Sequence, residues 1–419
     1  MLRGNAVVAQ SGGPTTVINA SACGVIQEAL RKDAIENVYG ANNGILGILN
    51  EDLFDLGQED AETIEGLRCT PSSAIGSCRH KLKSLEESSA EYQRILDVFQ
   101  AHQIRYFFYI GGNDSMDTAD KLNQLAQSQN LELRVMGVPK TIDNDLPITD
   151  HCPGFGSVAK YLAAPVMECA RHPEALHTHD TVTILEAMGR DTGWIAASTG
   201  LARRVEQDAP HLIYVPEIPF SEEQFIQDVR SAHERFGGVF VVVSEGIRDA
   251  EGNYVSAGKG KFAQDSFGHI QLGGVAGYLQ SLVEKEVDVK CRFNKPGTAQ
   301  RNAMHFASLT DNEEAYRCGV EAVKQAIAGT SGMMVTLVRE SDSPYQCSTG
   351  LARLADIANE VKKLPREFMN EQGNGITDAF RRYVTPLIQG EVPLRMDGDG
   401  LPIFSRFQRQ AVPKQTTES

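Results

Sequence analysis

The sequence predicts an α/β protein: two Rossmann-like domains with mainly parallel sheets covered by helices, and an active site in the cleft between them. Two observations carry that expectation. Short apolar runs recur along the chain, each entering a glycine-rich or polar turn followed by a helical pattern. The length of 419 residues suits two or three domains at roughly 150 residues each.

The elements follow in order. Ala6 to Ala9 runs into Gln10-Ser11-Gly12-Gly13-Pro14, then a helix-like stretch to Leu30. Arg105 to Ile110 runs into Gly111-Gly112-Asn113-Asp114-Ser115 and a helix near Met116 to Gln127. Arg134 to Val138 meets Pro139-Lys140-Thr141-Ile142-Asp143-Asn144-Asp145. Later, Thr181 to Glu186 leads into Met188-Gly189-Arg190, and Val239 to Ser244 into Glu245-Gly246. In parallel sheets ligands sit outside the carboxyl ends of the strands, so all five turns are expected at one ligand-facing edge. Pro153, Gly154 and Gly156 interrupt the pattern and suggest a boundary there. The expected division is 1–155, with 300–353 returning to it; 156–299, with part of 354–405; and a polar, frayed tail over 406–419.

Composition narrows the function. Lys plus Arg is 40 against Asp plus Glu 55, a formal charge of −15. No run of five or six like charges concentrates that excess and there is no basic tail, which argues against a nucleic-acid binder. The longest other apolar run, Val239 to Val243, is too short to cross a bilayer. The eight cysteines are scattered without metal spacing, as expected of reduced residues in a soluble cytoplasmic protein.

Several motifs could carry chemistry. The SGGPTT turn is either a tight strand-to-helix connection or a phosphate cradle; it lacks the ending of a Walker A loop. Gly154 to Ala159 matches the dinucleotide pattern GxGxxA, but the polar Asp150-His151-Cys152-Pro153 precedes it where a buried strand is required. In Pro139 to Asp145, one aspartate could cap a turn. Asp143 and Asp145 together with Lys140 suit a base, a metal-facing acid and a charge stabiliser for phosphoryl transfer.

SGGPTT, GSCR (Gly76 to Arg79), GGNDS, PKTIDND, EAMGRDTGW and SEG, in this order, resemble the phosphofructokinase family, most closely its pyrophosphate-dependent branch. The resemblance runs from about Ala6 to about Gly332. It implies reversible phosphoryl transfer from pyrophosphate to the 1-hydroxyl of fructose 6-phosphate, with Mg2+, in a homodimer. Asp143 would be the base, with Lys140, Asp114 and Arg190 assisting. Gly12, Arg79 and Ser115 would contact pyrophosphate. Thr141, Ile142, Met188, Gly189, Arg190, Glu245, Thr298 and Arg301 would line the sugar-phosphate site beside Asp143, and Asn113 and Asp145 would face the metal.

ATP-using relatives commonly carry glycine where this chain has Asp114 and Lys140. A carboxylate about 5 Å from a nucleotide α-phosphate repels it by roughly 3 kcal/mol at an effective dielectric of about 20. The expected donor is therefore pyrophosphate, with ATP the alternative. Three departures stand out. Asn113 replaces the family's usual magnesium-reaching aspartate, so the metal would lean more on Asp145, Asp114 and pyrophosphate. Thr298-Ala299-Gln300-Arg301 aligns with a His- or Tyr-x-x-Arg segment, in competition with Gly268 to Leu272. Thr181 replaces an arginine that tetrameric relatives donate across a subunit contact, with Lys259 and Lys261 as possible substitutes. A catalytically silent, metabolite-binding subunit is the rival of another class, and a nicotinamide dehydrogenase a further one.

Overall fold

In the computed structural model the described residues are 2–175, 180–255, 274–358 and 360–416. The segment Gly268 to Leu272, Lys259 and Lys261 lie outside them.

The strands form two sheets. The larger takes β1 (Gly4–Gln10), β2 (Ile35–Ala41), β3 (Leu53–Asp55), β4 (Ile104–Gly111) and β5 (Arg134–Pro139). The smaller takes β6 (Asp180–Ala187), β7 (Leu212–Tyr214), β8 (Val239–Ser244) and β9 (Lys290–Asn294). The chain then returns to the first sheet through β10 (Met333–Asp342) and β11 (Tyr345–Arg353). Strand order is β11-β10-β5-β4-β1-β2-β3 in one sheet and β7-β8-β6-β9 in the other. All pairings are parallel except β2–β3 and β10–β11.

Register and burial explain why the strands read as nearly continuous apolar runs. Val7 pairs with Phe107, and Phe107 in turn with Val135. On β4, Phe107 and Tyr109 pack into one core while Tyr106, Phe108 and Ile110 pack into the other. Both faces are thus covered, as parallel sheets require. On β6 and β8, Leu185, Phe240 and Val242 face one core and Ile184, Val241 and Val243 face another.

The chain runs outward from β1 to β3 and restarts on the other side with β4. Strand order therefore reverses between β1 and β4, and a crevice opens at their carboxyl ends. The five turns expected at strand ends do follow β1, β4, β5, β6 and β8.

One reading is supported and one expectation changes. The GxGxxA stretch opens the helix Phe155–Ala175, but both carboxylate oxygens of Asp311 accept from the Gly154 and Ser157 amides at 2.9 Å. A protein carboxylate occupies the place a dinucleotide phosphate would take. The tail, as far as residue 416, is anchored where fraying was expected. Ala411 bridges Phe54 antiparallel on the outer edge of β3, and Glu59 accepts the Gln408 and Arg409 amides at 3.0 and 2.8 Å. Buried Glu51 accepts from the Gln415 and Thr416 amides. Edge strands need covering, and acidic groups distant in sequence supply the anchors that local polarity concealed.

Candidate active site

A cleft of about 330 Å³ lies where the five turns converge. The SGGPTT turn forms its floor. Gly12 has φ +74°, and a Cβ there would sit 3.3 Å from Lys140 Nζ. A Cβ on Gly13 would fall 1.6 Å from an Arg301 guanidinium nitrogen. The pair therefore needs glycine twice, once for conformation and once for close approach. The Gly12 amide donates to Cys78 O at 3.0 Å and is already spent. What the turn offers the site is room for two cations rather than that amide.

Lys140 follows β5, and its ammonium donates to Gly13 O at 2.8 Å. Arg79, Arg190 and Arg301 line the same cleft. Burial, with Arg301 nearby, pushes Lys140 down to about 7. Arg301 Nε lies 3.4 Å from Met188 Sδ, and Gln300 Oε1 accepts the Met188 amide at 2.9 Å. Arg190 Nε is buried without a hydrogen-bond partner, a donor left over for a ligand.

The acids stand among these cations. The Asp143 amide donates to Thr141 Oγ1 at 3.1 Å, and its carbonyl accepts from Thr192 Oγ1 at 3.0 Å. Between the two aspartates, Asn144 takes a left-handed φ of +53°. Burial raises Asp143 despite Arg301 and Lys140. Burial and then Asp143 push Asp145 up to about 7. Glu245 goes to about 7 for the same two reasons.

Of the residues picked from sequence, Gly12, Arg79, Asn113, Asp114, Ser115, Lys140, Thr141, Ile142, Asp143, Asp145, Met188, Arg190, Glu245 and Arg301 all line this cleft. Gly189 and Thr298 do not. Gly189 serves the turn instead, with φ +120° and its carbonyl accepting from Ser244. Thr298 stands at the start of the short helix Ala299–Asn302, its carbonyl taken by Arg301 N and Asn302 Nδ2. Asp114 also differs from expectation. Its carboxylate pairs with Lys81 at 2.6 Å, so the repulsion it was expected to exert on a nucleotide is partly neutralised. Sequence reading missed Lys81, Asp191, Thr192, Gln300 and Val361. Asp191 and Thr192 stood inside the quoted EAMGRDTGW. Lys81 follows Arg79 by two in a basic stretch, whereas Val361 carries no chemical signal at all.

Four cations around a raised carboxylate, above a glycine turn at a strand-order reversal, define a cleft for transferring anionic groups. The chain belongs to the phosphofructokinase family: the family model named Phosphofructokinase matches residues 5–326. A relative from Xanthomonas campestris pv. campestris, named pyrophosphate–fructose 6-phosphate 1-phosphotransferase, is 48% identical over 99% of both chains. A relative of the same name from Methylococcus capsulatus is 48% identical over 99% of this chain and 98% of its own. The crystal structure of a pyrophosphate-dependent phosphofructokinase from Nitrosospira multiformis superposes with a TM-score of 0.90 at 44% identity, covering 99% of this chain and 98% of that one.

Proposed function

We propose that this chain transfers a phosphoryl group reversibly from inorganic pyrophosphate to the 1-hydroxyl of fructose 6-phosphate, giving fructose 1,6-bisphosphate and phosphate. The observation that carries this reading is the position of Asp143 in a cleft with Lys140, Arg79, Arg190 and Arg301. The full-length likeness to relatives of that name supports it.

In the forward direction the sugar oxygen bonds to phosphorus while the bond to the bridging oxygen breaks, and phosphate leaves. The hydroxyl proton passes to an Asp143 carboxylate oxygen, so no free alkoxide forms. In reverse, protonated Asp143 returns it. A carboxyl raised by burial is suited to both directions, because it holds a proton closer to neutral pH than an exposed aspartate does. Lys140, Arg79 and Arg301 take up charge on the diphosphate, with Ser115 at the start of the helix Asn113–Ser128. Arg190 faces the transferring group. Thr141, Ile142, Met188 and Glu245 shape the sugar side, where Arg301 joins the two substrates' phosphates.

A divalent cation, Mg2+ in our reading, suits the oxygens here. Asn113 Oδ1 is buried with no hydrogen-bond partner, and Asp145 lines the same cleft. Among the described residues no three His, Cys, Asp or Glu side chains gather to hold a metal, so these two donors would share the ion with pyrophosphate oxygens. Bound there, it would neutralise charge on the diphosphate.

We place the division into units at 1–155 with 300–353, and 156–299 with part of 354–405, in keeping with the strands of each sheet. Among the described residues no helix is long and apolar enough to cross a membrane, and no cysteine is paired; our reading of the chain as a cytoplasmic homodimer rests on the family resemblance. Asp143→Ala tests the chemistry. Sugar-phosphate binding should persist in calorimetry while turnover is lost; turnover within a few-fold of wild type would refute the assignment.

A further inference from the structure

Behind the Asp143–Asp145 turn lies a lysine that the chemistry above does not use. The Lys362 ammonium donates to Asp150 O at 2.9 Å and Thr149 O at 3.1 Å, reaches Asn144 Oδ1 at 3.5 Å, and lies 5.4 Å from the Trp194 ring centroid. Among the described residues it makes no ion pair with a carboxylate. Its backbone is tied in as well. Its amide donates to Asp145 O at 2.7 Å, and its carbonyl accepts from Trp194 Nε1 at 3.0 Å.

The acceptors it gathers all belong to one loop. Asn144 Oδ1 also accepts the Cys152 amide at 2.9 Å, and Asn144 Nδ2 donates to Tyr383 Oη at 3.1 Å. Tyr383 Oη in turn donates to Asp150 O at 2.7 Å. Residues 144 to 152 thus close into a ring with the ammonium inside it. Asn144 occupies the left-handed conformation that sets the two flanking aspartates, and such a conformation persists only where its surroundings over-determine it.

The neighbouring residues reach the other half of the cleft. Lys363 Nζ donates to Asp191 O, the Leu364 amide donates to Glu217 Oε1 at 2.9 Å, and Val361 lines the cavity. One short stretch, 361–364, therefore touches both the turn after β5 and the turn after β6.

We infer that Lys362 is a positioning residue: from outside the reacting groups it fixes the turn that carries Asp143 and Asp145 at its spacing from the turn after β6. A half-buried cation bridging several acceptors is costly to remove: Thr149 O is left without a partner, and Asn144 Oδ1 and Asp150 O keep only the Cys152 amide and the Tyr383 hydroxyl. A turn freed in this way drifts, and a shift on the order of 1 Å at reacting groups costs about a hundredfold in rate.

The inference rests on the proposed phosphoryl transfer, so its test carries a readout independent of activity. Lys362→Met, Lys362→Arg and Asn144→Ala are compared with wild type by initial rates and by hydrogen exchange of the 143–152 amides. Lys362→Met should lower kcat about a hundredfold, leave KM for both substrates within about threefold, and speed exchange across 143–152. Lys362→Arg, which keeps the cation, should recover part of both effects. If Lys362→Met does not fold, Asn144→Ala should show the same split between kcat and KM. Unchanged kcat in folded variants, or unchanged exchange in 143–152, overturns the inference. Should wild type itself transfer no phosphoryl group, the proposed activity fails, and the exchange measurement alone decides the role of Lys362.

Discussion

Two clusters of buried acids and bases, one in the cleft and one behind it, take opposite electrostatic states. In the rear cluster His151 sits between Asp150 at 2.7 Å and Glu314 at 2.6 Å, and Arg339 completes Asp150 at 2.9 Å. Burial alone would raise Asp150, yet His151 and Arg339 hold it at about 2. Burial would lower His151, yet Glu314 and Asp150 raise it to about 9. In the cleft the same residue types go the other way, with Asp145 and Glu245 up at about 7 and Lys140 down at about 7. Burial does not distinguish the two places. What differs is whether each charge has its complement in the protein. The rear cluster is closed and structural; the cleft leaves cations and acids for a ligand to complete.

Replacing one member of each cluster should separate rate from stability. The largest effect is expected at Asp143: Asp143→Asn should lower kcat by about 10² to 10⁴-fold with no loss of thermal stability, measured by steady-state rates and a melting curve. In the rear, Glu314→Gln breaks a buried pair and should cost about 3–5 kcal/mol in a denaturant titration, with kcat of the folded enzyme unchanged. Acidity adds a sign. Because His151 is raised from 6.5 to about 9, its contribution is full below about pH 6.5 and fades as pH rises through 9. Wild type should lose stability across that interval, and Glu314→Gln should lose much less. Equal slopes would dissolve the contrast between the clusters.

A smaller effect is expected at Glu245. Raised from 4.5 to about 7 by burial and Asp143, it stabilises the ligand-free fold least above pH 7. Glu245→Gln should melt no lower than wild type at pH 8 while kcat/KM for the sugar phosphate drops about tenfold, on the order of one lost polar contact in the transition state. The smallest concerns the donor. Asp114→Gly removes the partner of Lys81 and should admit some nucleotide in a donor-competition assay while weakening use of pyrophosphate. Unaltered preference would show that the Asp114–Lys81 pair plays no part in donor choice.

The cleft was largely legible along the chain; the rear cluster was not. The cleft is built from turns, and each turn writes its residues consecutively: Gly12-Gly13, Lys140 to Asp145, Met188 to Arg190. Strand apolarity and period place those turns together at one edge. The rear cluster joins residues 150, 151, 314 and 339 from three separate segments, which only the parallel docking of β10 on β5 and the helix Leu309–Ile327 bring together. The same holds for Lys362 and for the tail. Gln408 to Thr416 reads as loose polar chain, because Glu51 and Glu59, which hold it, lie some 350 residues earlier. Asp114 lines the cleft, but its neutralising partner Lys81 sits on a loop whose course no local pattern reveals.

The most direct measurement is a pair of initial rates of fructose 1,6-bisphosphate formation from fructose 6-phosphate, with pyrophosphate or with ATP as donor, in the presence of Mg2+. Asp114 and Lys140, which line the cleft where ATP-using relatives commonly carry glycine, predict turnover with pyrophosphate and little with ATP. Equal rates with ATP, or none with pyrophosphate, would contradict it.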